Sequence, residues 1–212
     1  IPYFNSFMAK TPEKQGRQCF LNQPMLPGFA EDDLMPLKKE SPKPLPVGWY
    51  EVAVQVVGGR TYSIIKIMNS DKVMADFKVF ERGSWDKSLI YASLIRVSNE
   101  EHAMLRRLNR DHPKDSGSAA WLSLGVNMRH ICGHNVMELG ERLMDVVNSA
   151  ALKAGVSRLY AELPLDNYRF CPDEADEDST IQSILKRNNF IQYLTEYQVM
   201  RFKCDVKPGK PR

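Results

Sequence analysis

With 212 residues, 26% of them charged, and a net charge of +3, the chain has room for one sizeable domain plus an arm. That charge is too small to imply a nucleic-acid partner by itself. The four cysteines, Cys19, Cys132, Cys171 and Cys204, show no paired spacing, which fits reduced thiols and a cytoplasmic protein better than a disulfide framework. No apolar run approaches the roughly 18–20 residues of a membrane span, and the first residues lack a basic-then-apolar signal pattern, so no membrane partner is expected.

Residues 1–47 hold eight of the 13 prolines. Short apolar clusters such as Pro2-Tyr3-Phe4 and Leu34-Met35-Pro36 alternate with charge. Proline at this density excludes a long helix or a central strand, so the segment reads as an extended, Pro-rich arm. At the other end, residues 207–212 read as a short basic tail, leaving 48–206 as the domain.

From Gly48 the pattern changes. Residues 50–57 (YEVAVQVV) alternate as a strand does, and Gly58-Gly59 signals a hairpin. Residues 61–68 and 72–81 predict two more strands, separated by a turn at 69–71. A loop around Trp85 leads to a fourth strand over 88–97. The β-branched and aromatic enrichment suits an antiparallel meander.

Ser98 with Glu101 three residues later is a capping box, and it predicts a helix running towards Pro113. Ala103, Met104, Leu105 and Leu108 would form its apolar stripe. Arg106, Arg107 and Arg110 would lie on a solvated face.

Residues 119–126 (AAWLSLGV) read as a buried strand, 127–134 as a basic loop with one glycine, and 135–154 as a long helix closed by Gly155. A strand that passes through a glycine loop into a helix start is suited to an anion, because first-turn N–H groups and the helix dipole point outwards. Arg129 and His130 add to that field. Residues 158–163 predict the next strand, parallel to 119–126 because a helix connects the two. The acidic run 173–178 precedes a predicted helix at 180–188 capped by Asp178 or Ser179, and part of it could attract a cationic substrate. Asn188-Asn189 ends that helix. Closing strands are expected over 190–194 and 196–203.

The order strand, Arg129–Asn135 loop, long helix, strand, Asn167, helix, Asn189-Phe190 and two strands resembles the acyl-CoA-binding half of the GNAT superfamily of N-acetyltransferases. The resemblance covers roughly residues 119–202. It implies an α/β fold: a mixed, mostly antiparallel β-sheet flanked by helices. It also implies that Ser123-Leu124-Gly125-Val126 corresponds to the bulged strand whose backbone meets the pantetheine arm, and that 129–135 corresponds to the pyrophosphate loop. The implied co-substrate is acetyl-CoA or another acyl-CoA, and the implied partner is an amine-bearing acceptor. Departures stand at three places: His130 and Asn135 replace two of the loop's key residues while Gly133 is kept, Leu185 stands where many members have a tyrosine, and two expected helices are missing from the N-terminal half.

The site that the resemblance implies has two parts. Backbone groups of Leu124, Gly125 and Val126 would hold the thioester carbonyl. Arg129, His130 and the N–H groups of Cys132, Gly133, His134, Asn135 and Val136 would hold the pyrophosphate, with Asn167 nearby. Glu162 is the first general-base candidate, against an ordinary outward-facing strand residue. Tyr197, Tyr168 and Ser123 are candidate acids. The run His130-Ile-Cys132-Gly-His134 admits two further readings, a metal site lacking a fourth ligand and a Cys132 nucleophile near a helix N-terminus. Alternatives to the acyltransferase are a catalytically silent binding module and an acyl-CoA-dependent enzyme modifying a nucleic-acid base.

Overall fold

The computed structural model describes residues 44–68, 73–164, 172–196 and 199–207. The arm up to residue 43, the turn at 69–71, Asn167, Tyr168, Cys171 and Tyr197 lie outside the described residues.

The strands are β1 (Trp49–Val57), β2 (Arg60–Ile67), β3 (Val73–Glu81), β4 (Ser88–Arg96), β5 (Ala119–Val126), β6 (Arg158–Pro164), β7 (Ile191–Glu196) and β8 (Val199–Asp205). The helices are α1 (Asn99–Leu108), α2 (Val136–Lys153) and α3 (Pro172–Arg187). All eight strands form one sheet in the order β1-β2-β3-β4-β5-β6-β8-β7. β5 and β6 pair in parallel, and the other neighbours pair antiparallel. The expected mixed, mostly antiparallel sheet flanked by helices is therefore what the chain forms.

Strand alternation sorts the side chains onto two faces. Ile64, Phe77, Ile90, Leu122, Leu159 and Phe202 point to one face, where Leu139, Leu143 and Val147 of α2 and Ile184 of α3 meet them. Tyr160 and Ala119 point to the other, where Leu105 and Val97 close a smaller cluster. Gly58 and Gly59 both take positive φ, 56° and 77°, and these left-handed values make the two-residue hairpin between β1 and β2. Asn189 is the one non-glycine with positive φ among the described residues, at 65°, as its place at the end of α3 required. Gly155, at φ 75°, follows the end of α2 in the same way.

Three expectations need correction. α3 begins at Pro172, two turns earlier than the sequence suggested. Proline fits the first helical position and acidic residues suit the first turns, so the acidic run lies inside the helix. Asp178 is buried at 3% exposure and does not cap it. On α1 the capping box forms as predicted. The buried positions, however, are His102 and Leu105, while Met104 and Leu108 face solvent. His102 takes the inner position because it has a polar partner there, His112. Finally, β5 carries no bulge: its register with β4 runs unbroken from Ile90 opposite Val126 to Arg96 opposite Ala120.

Candidate active site

The parallel pairing of β5 with β6 lasts for only three residue pairs, Ala119 with Arg158, Ala120 with Leu159 and Trp121 with Tyr160. Beyond them β5 stays bonded to β4 up to Val126, and β6 stays bonded to β8 up to Pro164. The two halves of the sheet therefore part after Trp121 and Tyr160 and leave a wedge. The opening needs no bulge, because the pairing simply stops.

Backbone alternation fixes what β5 presents to the wedge. The Asn127 N–H bonds to Leu89 O at 2.9 Å, on the β4 side. Val126 therefore points its N–H to the opposite edge, and Leu124 does so two residues earlier. Gly125 lies under the ring of Tyr91: a Cβ built there would sit 2.0 Å from that ring. Ser123 is exposed on the face that carries α1. Glu177 of α3 reaches into the wedge, and its Oε1 accepts the Val126 N–H at 3.0 Å.

The loop between β5 and α2 is built from turns. His130 N–H bonds to Asn127 O at 2.9 Å, and His134 N–H to Ile131 O at 3.0 Å. Gly133 has φ 77°, a conformation open to glycine. Asn135 caps α2 by accepting the Glu138 N–H at 3.3 Å, and its amide donates to Glu138 Oε2 at 3.2 Å. Val136 N–H is also taken, by His134 O at 3.0 Å. Of the N–H groups assigned to the anion, those of His134 and Val136 are thus already bonded within the loop. Glu138 adds a carboxylate to the first turn, paired with Arg142 at 3.5 Å. Arg129, Cys132, Gly133 and Asn135 are exposed. His134 is held by Tyr62 of β2 through an Oη–Nδ1 contact of 2.8 Å. Among the described residues no group of three or more His, Cys, Asp or Glu side chains is arranged to hold a metal ion.

Glu162 points to the face of α1 and forms an ion pair of 2.7 Å with Arg201, its cross-strand neighbour. Leu185 is fully buried in the core rather than in the wedge. The structure thus brings Leu124, Gly125, Val126 and Ser123 to one side of the wedge and Glu162 to the other, with the loop at its end.

Sequence reasoning missed a buried polar chain at the base of the wedge. Tyr160 Oη lies 2.6 Å from His112 Nδ1, His112 Nε2 lies 2.6 Å from His102 Nδ1, and His102 Nε2 lies 3.2 Å from Lys114 O. The carbonyl can only accept, so His102 carries its proton on Nε2. His112 must then donate from Nε2, and Tyr160 donates to His112 Nδ1. Burial, followed by the charges of His102 and Arg158, lowers His112 to about 4. Burial also pushes Tyr160 up to about 12. Ten residues of sequence separate the histidines, and no pattern in that stretch announces the pair. Glu177 was read only as part of an acidic run.

Two cavities lie elsewhere on the domain. One of about 570 Å³ runs between α2 and strands β1 to β4, with Phe77, Leu94 and Ala150 in its lining. Another of about 500 Å³ lies near Arg158, Asn189 and Lys203, beside the start of β6.

A mixed, mostly antiparallel sheet flanked by helices, with β5 and β6 paired in parallel across a loop and a long helix, is the arrangement that the sequence resemblance implied. The chain has a GNAT-like fold. No family model matches the sequence, and no curated protein matches it. Among solved structures it is similar to the GNAT domain of S. lividans PAT, with 14% identity over 62% of this chain and 60% of that one and a TM-score of 0.42. It is also similar to a mutant of the cAMP-binding acyltransferase from Mycobacterium smegmatis, with 14% identity over 76% of this chain and 49% of that one and a TM-score of 0.48. A third is Campylobacter jejuni N-acetyltransferase PseH in complex with acetyl coenzyme A, with 11% identity, coverage of 66% and 71%, and a TM-score of 0.38. The chain spans only 60% of the S. lividans domain and about half of the mycobacterial protein. Overlaps of this size leave the weight on the chain's own strand order. Among the described residues no helix is long and apolar enough to cross a membrane.

Proposed function

We propose that the chain is an acyl-CoA-dependent N-acyltransferase, a divergent member of the GNAT superfamily, that moves an acetyl or other acyl group from CoA to an amine. The observation that carries this reading is the open edge of β5, where Val126 presents its N–H to the wedge, one loop away from the start of α2. An N–H fixed in a sheet suits a thioester oxygen, because it is aimed before the charge develops. In the transfer the amine nitrogen bonds to the acyl carbon, the carbon–sulfur bond breaks, the amine gives up a proton and the sulfur gains one.

Leu124, Gly125 and Val126 line the acyl position in this reading. Arg129, His130, Cys132, Gly133 and Asn135 surround the pyrophosphate, with His134 and Val136 shaping the loop. Glu162 takes the proton from the amine, with Ser123 beside the path and Tyr197 and Asn167 assigned from the sequence alone. Acyl-CoA fits the glycine and the open edge. It fits the Glu138 and Glu177 carboxylates less well, since both repel oxygen ligands.

Those two carboxylates favour a second reading, a catalytically silent binding module on the same fold. A nucleic-acid acceptor has the exposed Arg106, Arg107 and Arg110 of the α1 region in its favour, and it predicts binding that falls steeply with salt. Isothermal titration with acetyl-CoA tests the main reading. Micromolar binding by the wild type and none by Gly133→Glu supports it. Absence of binding to acetyl-CoA, longer acyl-CoAs and free CoA sinks it. Binding with no turnover across an amine panel selects the silent module.

A further inference from the structure

Glu177 is the sixth residue of α3, and its carboxylate crosses to a strand 51 residues earlier to take the Val126 N–H at 3.0 Å. That N–H lies on the edge of β5 left open when β6 departs. Water could satisfy the group at no cost in side-chain order. Holding a glutamate in one rotamer costs side-chain entropy, so the bond persists because its acceptor is charged.

The helix that carries Glu177 is anchored one turn further on. Ile181, Ile184 and Leu185 on the following turns are buried, and Ile184 packs against Gly140 of α2 so closely that a Cβ there would lie 2.7 Å from it. The flexible part of the contact is the Glu177 side chain, whose carboxylate spans the distance to β5.

We infer that Glu177 sets the affinity of the wedge for acyl-CoA by occupying the Val126 N–H that an incoming acyl or pantetheine oxygen needs. This inference rests on the acyltransferase reading. One N–H serves one strong acceptor. A neutral carbonyl accepts more weakly than a carboxylate, so the ligand binds only to molecules in which Glu177 has turned away. The apparent dissociation constant is then the intrinsic one divided by the fraction in that open state. Glu177 is a determinant of ligand affinity here, and it touches no reacting atom.

The test is titration of acetyl-CoA into the wild type, Glu177→Ala and Glu177→Gln, each with and without Gly133→Glu, together with hydrogen exchange at the Val126 amide in the unliganded proteins. Alanine is a good helix former, and glutamine keeps the shape of the side chain without its charge. Glu177→Ala should bind at least about tenfold more tightly than the wild type, the factor that corresponds to about 1.4 kcal/mol. Glu177→Gln should fall between the two, and the Val126 amide should exchange faster in Glu177→Ala. Gly133→Glu should abolish the gain. Equal affinity of the wild type and Glu177→Ala overturns the inference while leaving the acyltransferase reading intact, and unchanged exchange at Val126 overturns it as well. Failure of all three proteins to bind removes the acyltransferase reading and the inference with it.

Discussion

Tyr62 Oη lies 2.8 Å from His134 Nδ1, and this bond ties β2 to the loop before α2 across 72 residues of sequence. Tyr62 is buried at 1% exposure, and burial raises its pKa, so it keeps its proton at neutral pH. The rings meet edge to face, with centroids 5.7 Å apart. Tyr62→Phe keeps the packing and removes the bond. It should lower stability by about 1 kcal/mol and the melting temperature by about 2–4 °C. It should also weaken acetyl-CoA binding several-fold, because the loop loses its anchor. Thermal melts and calorimetry on the same protein check both halves.

α2 and α3 approach each other closely at Gly140. A Cβ there would lie 2.7 Å from Ile184 Cδ1, a distance that forces something to shift. Alanine at a helix interior gains about 1 kcal/mol over glycine by propensity. Overpacking a tight core costs about 1–3 kcal/mol, and Ile184 is fully buried with no room to retreat. Gly140→Ala should therefore be neutral to destabilising by up to about 2 kcal/mol, against the usual sign for such a change. Gly140→Ala with Ile184→Val should recover part of the loss. Urea denaturation of the single and double variants measures it, and a stabilised Gly140→Ala would show that the helices can separate freely.

Much of this frame was legible because it depends on local chemistry. Gly58-Gly59, the Ser98–Glu101 capping box and Gly155 each specify a turn or cap through backbone rules alone, and each formed where expected. The crossover helix between residues 119–126 and 158–163 dictated a parallel pair, and the pair is there. The start of α3 was less legible: Asp178 and Ser179 look like caps for a helix from 180, whereas Pro172 and the helix dipole make the acidic run its first two turns. The site was less legible. That the pairing of β5 with β6 ends after three residues is a tertiary fact with no sequence signature. His102, His112 and Tyr160 meet only because α1 folds back on the sheet. Glu177 became part of the wedge once α3 extended far enough to carry it there.

The His102–His112–Tyr160 chain makes stability depend on pH. His112 is lowered to about 4 in the fold, by burial first and then by the neighbouring His102, Arg158 and Arg106, which oppose a further charge there, against an ordinary value of 6.5. Between those two values the unfolded chain binds a proton that the folded chain refuses, so stability rises with pH there. The contribution of His112 is fully present above about pH 6.5, is lost as pH falls from 6.5 towards 4, and is flat below. Protonated His112 would donate from Nδ1 to Tyr160 Oη, so the bond of 2.6 Å would reverse and the phenol proton would have to turn away. Melting temperatures at pH 7.5, 6, 5 and 4 should fall across this window, and His112→Asn should show a shallower slope from a lower starting point. Parallel curves for the two proteins would remove His112 as the source.

Glu162 carries the sharpest distinction between a working enzyme and a silent fold. Its carboxylate is 40% exposed and paired with Arg201 at 2.7 Å. An ion pair with that much solvent contributes little to stability, within about 1 kcal/mol. Glu162→Gln should therefore leave the melting temperature almost unchanged. It should leave the affinity for acetyl-CoA unchanged too, because Glu162 lies on β6 and the loop and the Val126 N–H lie across the wedge. If Glu162 takes the proton from the amine, the rate of acyl transfer should drop by about 10²–10⁴. Asp in place of Glu shortens the reach by one methylene while keeping the base, so Glu162→Asp should retain more activity than Glu162→Gln. A steady-state rate that survives Glu162→Gln would assign the proton transfer to another group. Arg201→Gln separates the two roles further: it removes the ion pair but leaves the base, so activity should persist where Glu162→Gln abolishes it.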